Sequence, residues 1–183
     1  LIGMGGSVMG SRSIYSFLKD KIKKKFYFID NFENNKIEEI KKKNKLNLII
    51  SKSGNTLETI VNSNVIINKA TKNIFITENK NSYLKSLAIK LKSDVIDHNN
   101  FIGGRYSVLS EVGMLPTMLM GLKVNKFRKF NELVKNKYFL NSIINSVSNI
   151  INFTKKNKSN SVILNYDEKS LDLFYWYQQL VAE

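Results

Sequence analysis

Along the first hundred residues, short apolar runs alternate with amphipathic stretches in a steady rhythm. Leu1-Ile2 passes into the glycine-rich turn Gly3-Met4-Gly5-Gly6-Ser7 through Gly10. Ile14, Tyr15, Phe17, Leu18 and Ile22 then share one face of a predicted helix from Ser11 to about Lys23. Phe26-Tyr27-Phe28-Ile29 predicts a second strand, and Glu33 to Lys43 a short charged helix. The near-continuous apolar run Leu46-Asn47-Leu48-Ile49-Ile50 predicts a buried parallel strand, followed by a helix over 56–70. Asn73 to Thr77 reads as a fourth strand. Ser82 to Lys92, with Leu84, Leu87, Ala88 and Leu91 on one face, reads as a helix, and Val95-Ile96 as a short fifth strand. Strands alternating with helical patterns of about a dozen residues are βαβ units. The expected fold class is therefore α/β, with a central, mostly parallel five-stranded sheet and helices on both faces.

Beyond that the rhythm changes. Asp97 to Gly113 is a long polar-aromatic loop containing Arg105. Pro116 is expected to open a helix through Leu122, with further helical segments at 126–134 and 140–153. Ser161-Val162-Ile163-Leu164 predicts a last strand, and Leu171 to Glu183 a last helix. Leu1-Ile2 reads as the end of a strand and Val181-Ala182-Glu183 stops within a helical pattern, so the chain is expected to be a piece of a longer polypeptide.

The stretch Ser51-Lys52-Ser53-Gly54-Asn55-Thr56-Leu57-Glu58-Thr59 stands where a strand hands over to a helix. Its hydroxyls, the unpaired N–H groups of the helix start and the positive end of the helix dipole all favour an anion. The reading is a phosphate cradle; the plain alternative is a βα turn rich in small polar residues. Asn55 and Glu58 have the spacing of a capping box, and Gly54 permits a tight turn. The first glycine turn is a second such junction. It fits a dinucleotide fingerprint poorly, although Asp30 follows 24 residues after Gly6, where a ribose-binding acid would stand. A contact to a sugar phosphate suits it better.

Composition narrows the partners. The net charge of +14 suggests an anionic partner. However, the 24 asparagines and frequent isoleucines accompany the lysines, whose runs sit at predicted helix ends without interleaved aromatics. That pattern is a compositional bias rather than a nucleic-acid surface. No cysteine is present, and no apolar run is long enough to span a membrane. His98, the single histidine, lies beside Asp97 and reads as surface or loop packing; with scattered carboxylates it makes no metal site. Arg105 reads either as a fork for a carboxylate, phosphate or oxyanion, or as a solvated loop residue. Gln179 and Glu183 are an i,i+4 pair on one helix face, by itself an ordinary surface feature.

Four segments together resemble the glucose-6-phosphate isomerase family, in that family's order: Gly3-Met4-Gly5-Gly6-Ser7 through Gly10, Ser51 to Thr59, Gly103-Gly104-Arg105-Tyr106-Ser107, and Gln178 to Glu183. The hydroxyl core alone fits many sugar-isomerase (SIS) domains; Lys52 within it and the GGRYS stretch point to this family. The resemblance implies an SIS-type three-layer sandwich, with 1–167 as a first SIS domain and 168–183 as the start of a helix leading toward a second. It implies that Ser51, Lys52, Ser53 and Thr56 bind the substrate phosphate, that Gly6 and Ser7 approach the sugar, and that Gln179 hydrogen-bonds it. Arg105, with Gly104 beside it, would stabilise an enediolate, and Glu183 would be the general base. The implied reaction is aldose–ketose isomerisation of glucose 6-phosphate and fructose 6-phosphate, in a cytoplasmic homodimer, with no metal or redox cofactor, no nucleic acid and no membrane. The alternatives are a non-catalytic sugar-phosphate-binding module and an isomerase that also accepts mannose 6-phosphate. Ser53 stands where many members carry threonine, Gly54-Asn55 replaces an aromatic–threonine pair, and Glu111 is unusual after the arginine segment. The family's ring-opening histidine, which comes from the partner subunit, and its late lysine would lie C-terminal to this stretch. His98 does not match that histidine.

Overall fold

The computed structural model describes residues 1–31, 34–41, 45–68, 71–127, 129 and 131–182. The chain forms two compact units, Leu1–Leu122 with Asp167–Glu183, and Lys123–Tyr166.

In the first unit a parallel sheet has the order β1-β2-β3, with β1 at Leu46–Ile50, β2 at Lys72–Glu78 and β3 at Asp94–His98. Ile49 pairs with Phe75, and Phe75 with Val95, so one register row carries the core of one face. Helices α2 (Asn34–Lys41), α3 (Leu57–Ile66) and α4 (Tyr83–Lys90) cover that face, burying Ile37, Ile40, Ile66, Leu84 and Ala88 against Ile49 and Phe75. The alternate residues Ile50 and Ile76 point the other way and pack with Val112 of α5 (Glu111–Leu119). On that side α1 (Met9–Phe17) presents Ile14 and Tyr15 to Val8, Phe28 and Met120. Period-2 alternation thus makes three layers. The last helix, α9 (Leu171–Ala182), packs on α1, where the Ser13 hydroxyl donates to the Asp172 carbonyl at 2.8 Å and the Ser16 hydroxyl to the Asp172 carboxylate.

Among the described residues the sheet has three strands, not the five expected. The first N-terminal run lies parallel beside β1 and the second parallel beside the first, but only through isolated bridges, Ile2 with Ile49 and Ile2 with Ile29. Ile2 N–H donates to the Leu48 carbonyl at 2.7 Å, and Ile50 N–H to that of Ile2 at 2.9 Å. Gly3 then turns the chain into its glycine loop before a ladder can extend. Pro116 does not open a helix either. Ser110 caps α5, its Oγ accepting from Val112 N–H at 3.3 Å, and Pro116 sits inside. The Val112 carbonyl that proline cannot bond faces the Ser11 hydroxyl at 3.5 Å.

In the second unit, α6 (Val124–Phe127) and α7 (Asn131–Val134) are single turns, and α8 (Lys137–Lys155) is long and capped by Asn136, whose Oδ1 accepts from Tyr138 N–H at 2.9 Å. The strand expected at 161–164 does not form. A strand exists by pairing, and within this unit the described residues offer no other strand to pair with.

Candidate active site

Functional groups of a parallel sheet collect beyond the strands' C-terminal ends, and three loops of the first unit meet there. The first follows β1. Ser51 is buried, and its Oγ lies 2.9 Å from Thr56 Oγ1 and accepts from Gly54 N–H at 3.2 Å. Gly54 has φ +68°, and a Cβ there would stand 2.2 Å from Ser82 Oγ and 2.8 Å from Thr77 Oγ1, so glycine is required on two counts. Thr56, not Asn55, is the N-cap of α3, and it makes no side-chain capping bond. The Asn55 side chain instead accepts from Tyr83 N–H at 2.9 Å, at the start of α4. The expected capping box is therefore absent, and the side chains leave the first N–H groups of α3 uncapped.

The second loop is the 3₁₀ turn Gly5–Ser7. At Gly6 a Cβ would fall 2.4 Å from the Gly104 carbonyl carbon and oxygen and 2.6 Å from Arg105 N. Backbone lies directly on backbone there, which only glycine permits. A Cβ at Gly5, where φ is +52°, would meet Gln179 Nε2 at 2.7 Å.

The third loop carries Arg105 into the 3₁₀ segment Gly104–Leu109. The Ser107 hydroxyl donates to the Gly104 carbonyl at 2.6 Å, and Trp176 Nε1 of α9 donates to the Arg105 carbonyl at 3.1 Å. The Arg105 guanidinium lies 6.0 Å from the Tyr106 ring centroid. From α9 comes Gln179, whose Oε1 is buried without a hydrogen-bond partner. An orphaned buried acceptor at a cleft wall is costly, and a ligand hydroxyl would satisfy it.

These loops bound an open cleft of about 530 Å³. Of the sequence-predicted residues, Gly6, Ser7, Lys52, Ser53, Thr56, Gly104, Arg105 and Gln179 line it, while Ser51 stands behind Thr56. Glu183 lies outside the described residues. A slightly larger hollow of about 580 Å³ opens at the opposite end of the strands beside Leu1, Phe26 and Leu46; its lining is mainly apolar, with three lysines and no anion-ready turn.

Two charged groups in the cleft, Glu78 and Lys80, were missed from sequence. Glu78, ending β2, has a side chain only 8% exposed, and its carboxylate pairs with Lys80 and lies 3.5 Å from Lys52 Nζ. The hydrogen bond from Lys80, then its charge and that of Lys52, hold Glu78 below the usual carboxylate range against its desolvation. The strand-end rule alone would have flagged Glu78. Lys52 Nζ also donates to the Asn100 and Ile102 carbonyls, at 3.0 and 2.9 Å. Asp30 pairs with Arg12 at 2.9 Å, which accounts for it as an ion-pair partner. His98 is buried in loop packing, against Glu111 and the Ile102 carbonyl. Among the described residues no group of three or more His, Cys, Asp or Glu could hold a metal, and no helix is long and apolar enough to cross a membrane.

A parallel α/β layer sandwich with a hydroxyl turn facing an arginine loop across one cleft has the plan of a sugar-phosphate isomerase domain. The chain belongs to the phosphoglucose isomerase family, whose model matches residues 1–183. It is 34% identical over 200 residues to a glucose-6-phosphate isomerase of Methanocaldococcus jannaschii, and 30% identical over 213 residues to one of Acholeplasma laidlawii. In each case all of this chain and 49% of the relative are covered, so the chain spans about half the length of these curated relatives. In fold it is similar to the crystal structure of a hypothetical protein from Thermus thermophilus. The TM-score is 0.75 at 23% identity, over 98% of this chain and 46% of the other.

Proposed function

We propose that the whole protein interconverts D-glucose 6-phosphate and D-fructose 6-phosphate through a cis-enediol(ate). The observation that carries this reading is the convergence of the Ser51–Thr56 turn, Arg105 and Gln179 on one cleft. In this reading the phosphate rests at the start of α3, on the hydroxyls of Ser53 and Thr56 and on unpaired backbone N–H groups. Anchoring that remote end lets binding energy be spent on orienting the reacting carbons. Gln179 takes a sugar hydroxyl with its unpartnered Oε1. The Glu183 carboxylate removes the proton from C2 and returns it to C1, and the reverse reaction retraces the path. The Arg105 guanidinium stabilises the oxygen charge that develops between these steps without yielding a proton. With the ring-opening histidine of the family supplied by a partner subunit, the working enzyme is read as a homodimer, and the family reading places it in the cytoplasm.

The test is turnover of fructose 6-phosphate by the whole protein, coupled to glucose-6-phosphate dehydrogenase. About 1 to 10³ per second is expected. Glu183→Gln is expected to lower kcat by at least about 10²-fold; a loss below about tenfold removes Glu183 from the role of base. A folded protein that binds sugar phosphate without turning it over would be a binding module instead. Turnover of mannose 6-phosphate alongside would widen the substrate assignment.

A further inference from the structure

The backbone just ahead of Arg105 is held from two directions at one atom. The Ile102 carbonyl accepts from Lys52 Nζ of the phosphate turn at 2.9 Å, and it faces His98 Nε2, at the end of β3, at 3.3 Å. The other ring nitrogen of His98 is bonded to the carboxylate of Glu111 in the first turn of α5. The Glu111 carboxylate and the Ile102 carbonyl thus each meet a different ring nitrogen, so the ring is held from both sides. The histidine is 3% exposed, and a buried ring with these two partners has one orientation open to it. Residues 99–102 close on themselves as well, since Ile102 N–H donates to the Asn99 carbonyl at 3.1 Å and Phe101 N–H to Asn99 Oδ1 at 2.9 Å. The turn is thus compact and follows β3 directly; Lys52 and His98 fix its far end at Ile102, with Glu111 holding the His98 ring.

We infer that His98 and Glu111 are positioning residues which, through the Ile102 carbonyl they share with Lys52, set the Arg105 loop against the phosphate turn. The inference rests on the isomerase reading for its catalytic consequence, but not for its structural one. Neither side chain lines the cleft. Their effect belongs in the placement of Arg105, whose charge is used in the transition state, and not in phosphate capture, which belongs to Ser53 and Thr56. The arrangement also gives Lys52 a second task, as the tie that registers two loops 50 residues apart in sequence.

The experiment compares His98→Leu and Glu111→Ala in the whole protein by three readouts. These are steady-state kinetics, inhibition by inorganic phosphate, and amide hydrogen exchange across residues 99–106. Expected are a kcat at least about tenfold lower, and a KM and phosphate inhibition within about threefold of wild type. Exchange at Ile102 and Tyr106 should be at least about tenfold faster, with β2 amides unchanged. Glu111, partly exposed at a helix start, remains informative if the buried His98→Leu change prevents folding. Unchanged kcat with unchanged loop exchange overturns the inference, and so does a variant that loses phosphate affinity or global stability while kcat stands. Should the wild-type protein lack isomerase turnover, the function reading fails alone. Faster loop exchange would then still uphold the positioning role, and unchanged exchange would end it.

Discussion

The two strand-to-helix turns that meet in the cleft use the same chain grammar to opposite ends. The Ser51–Thr56 turn carries bonds of its own: Ser51 Oγ reaches Thr56 Oγ1 and Gly54 N–H, and Ser82 and Tyr83 at the start of α4 brace it from outside. The Gly3–Ser7 turn sets little by itself. Its glycines remove side chains so that other segments can lie on it, Gly104-Arg105 over Gly6 and Gln179 over Gly5. One turn brings chemistry and the other brings room. A turn of the first kind is recognisable locally, whereas one of the second kind shows its purpose only when its distant partners are in place.

The sharpest way to break this contrast is Gly6→Ala. Its Cβ would meet backbone atoms 2.4 Å away, and backbone cannot swing aside as a side chain can. A loss of about 1–3 kcal/mol in stability is expected from the overpacking, with a fall in kcat/KM of at least about 10²-fold as the Arg105 loop is displaced. Denaturant titration and steady-state kinetics check both; a near-wild-type Gly6→Ala would end the claim that the first turn exists to provide room. Ser51→Ala attacks the Ser51–Thr56 turn. Losing two internal hydrogen-bond contacts should cost about 1–2 kcal/mol and raise KM about tenfold, with kcat less affected. A selective fall in kcat would mean that the turn does more than bind. Trp176→Phe keeps the ring on α9 but removes the donor to the Arg105 carbonyl, for an expected loss of about 1 kcal/mol and a few-fold in kcat.

The smallest effect is expected at Glu78. Its carboxyl titrates below the usual range in the folded chain, through Lys80 first and Lys52 second. The stabilisation it contributes is therefore present above the unfolded-state value and is lost as pH falls through the lower folded one. Glu78→Gln should be less stable than wild type near neutral pH, and the two should converge in acid, from about pH 4 downward. Thermal unfolding across that range measures it, and a gap that persists in acid would assign the loss to packing.

The sequence made the α/β rhythm legible because β1, β2 and β3 are flanked by clear helical periods and end in polar turns. It overstated the sheet because hydrophobicity does not report ladder length: Leu1-Ile2 and Phe26 to Ile29 are apolar enough to be strands, yet pair through single bridges. It misread Ser161 to Leu164 for a related reason, since pairing partners are not written in a strand's own residues. The hydroxyl turn could be read from SKSGNT, but its internal bonds could not. Asn55, with ideal capping spacing, serves α4 instead because Thr56 occupies the cap. His98 with Glu111, and Trp176, carry no local motif, whereas Glu78 could have been read from its place at a strand end. Each matters through a contact that spans loops, such as the 71 residues between Trp176 and Arg105.

The route of the chain also imposes an order on synthesis. It leaves the first unit at Leu122, spends residues 123–166 elsewhere, and returns at Asp167 to lay α9 on α1. Domains acquire structure as they emerge, at roughly 5–20 residues per second. The sheet, the phosphate turn and the Arg105 loop are all available to a nascent chain that has reached Leu122. Trp176 and Gln179 arrive seconds later, so for that interval Gly5 lacks the Gln179 side chain that lies on it and the Arg105 carbonyl waits for Trp176. A ribosome stalled between those points would display the Ser51–Thr56 turn and the Arg105 loop without α9 beside them.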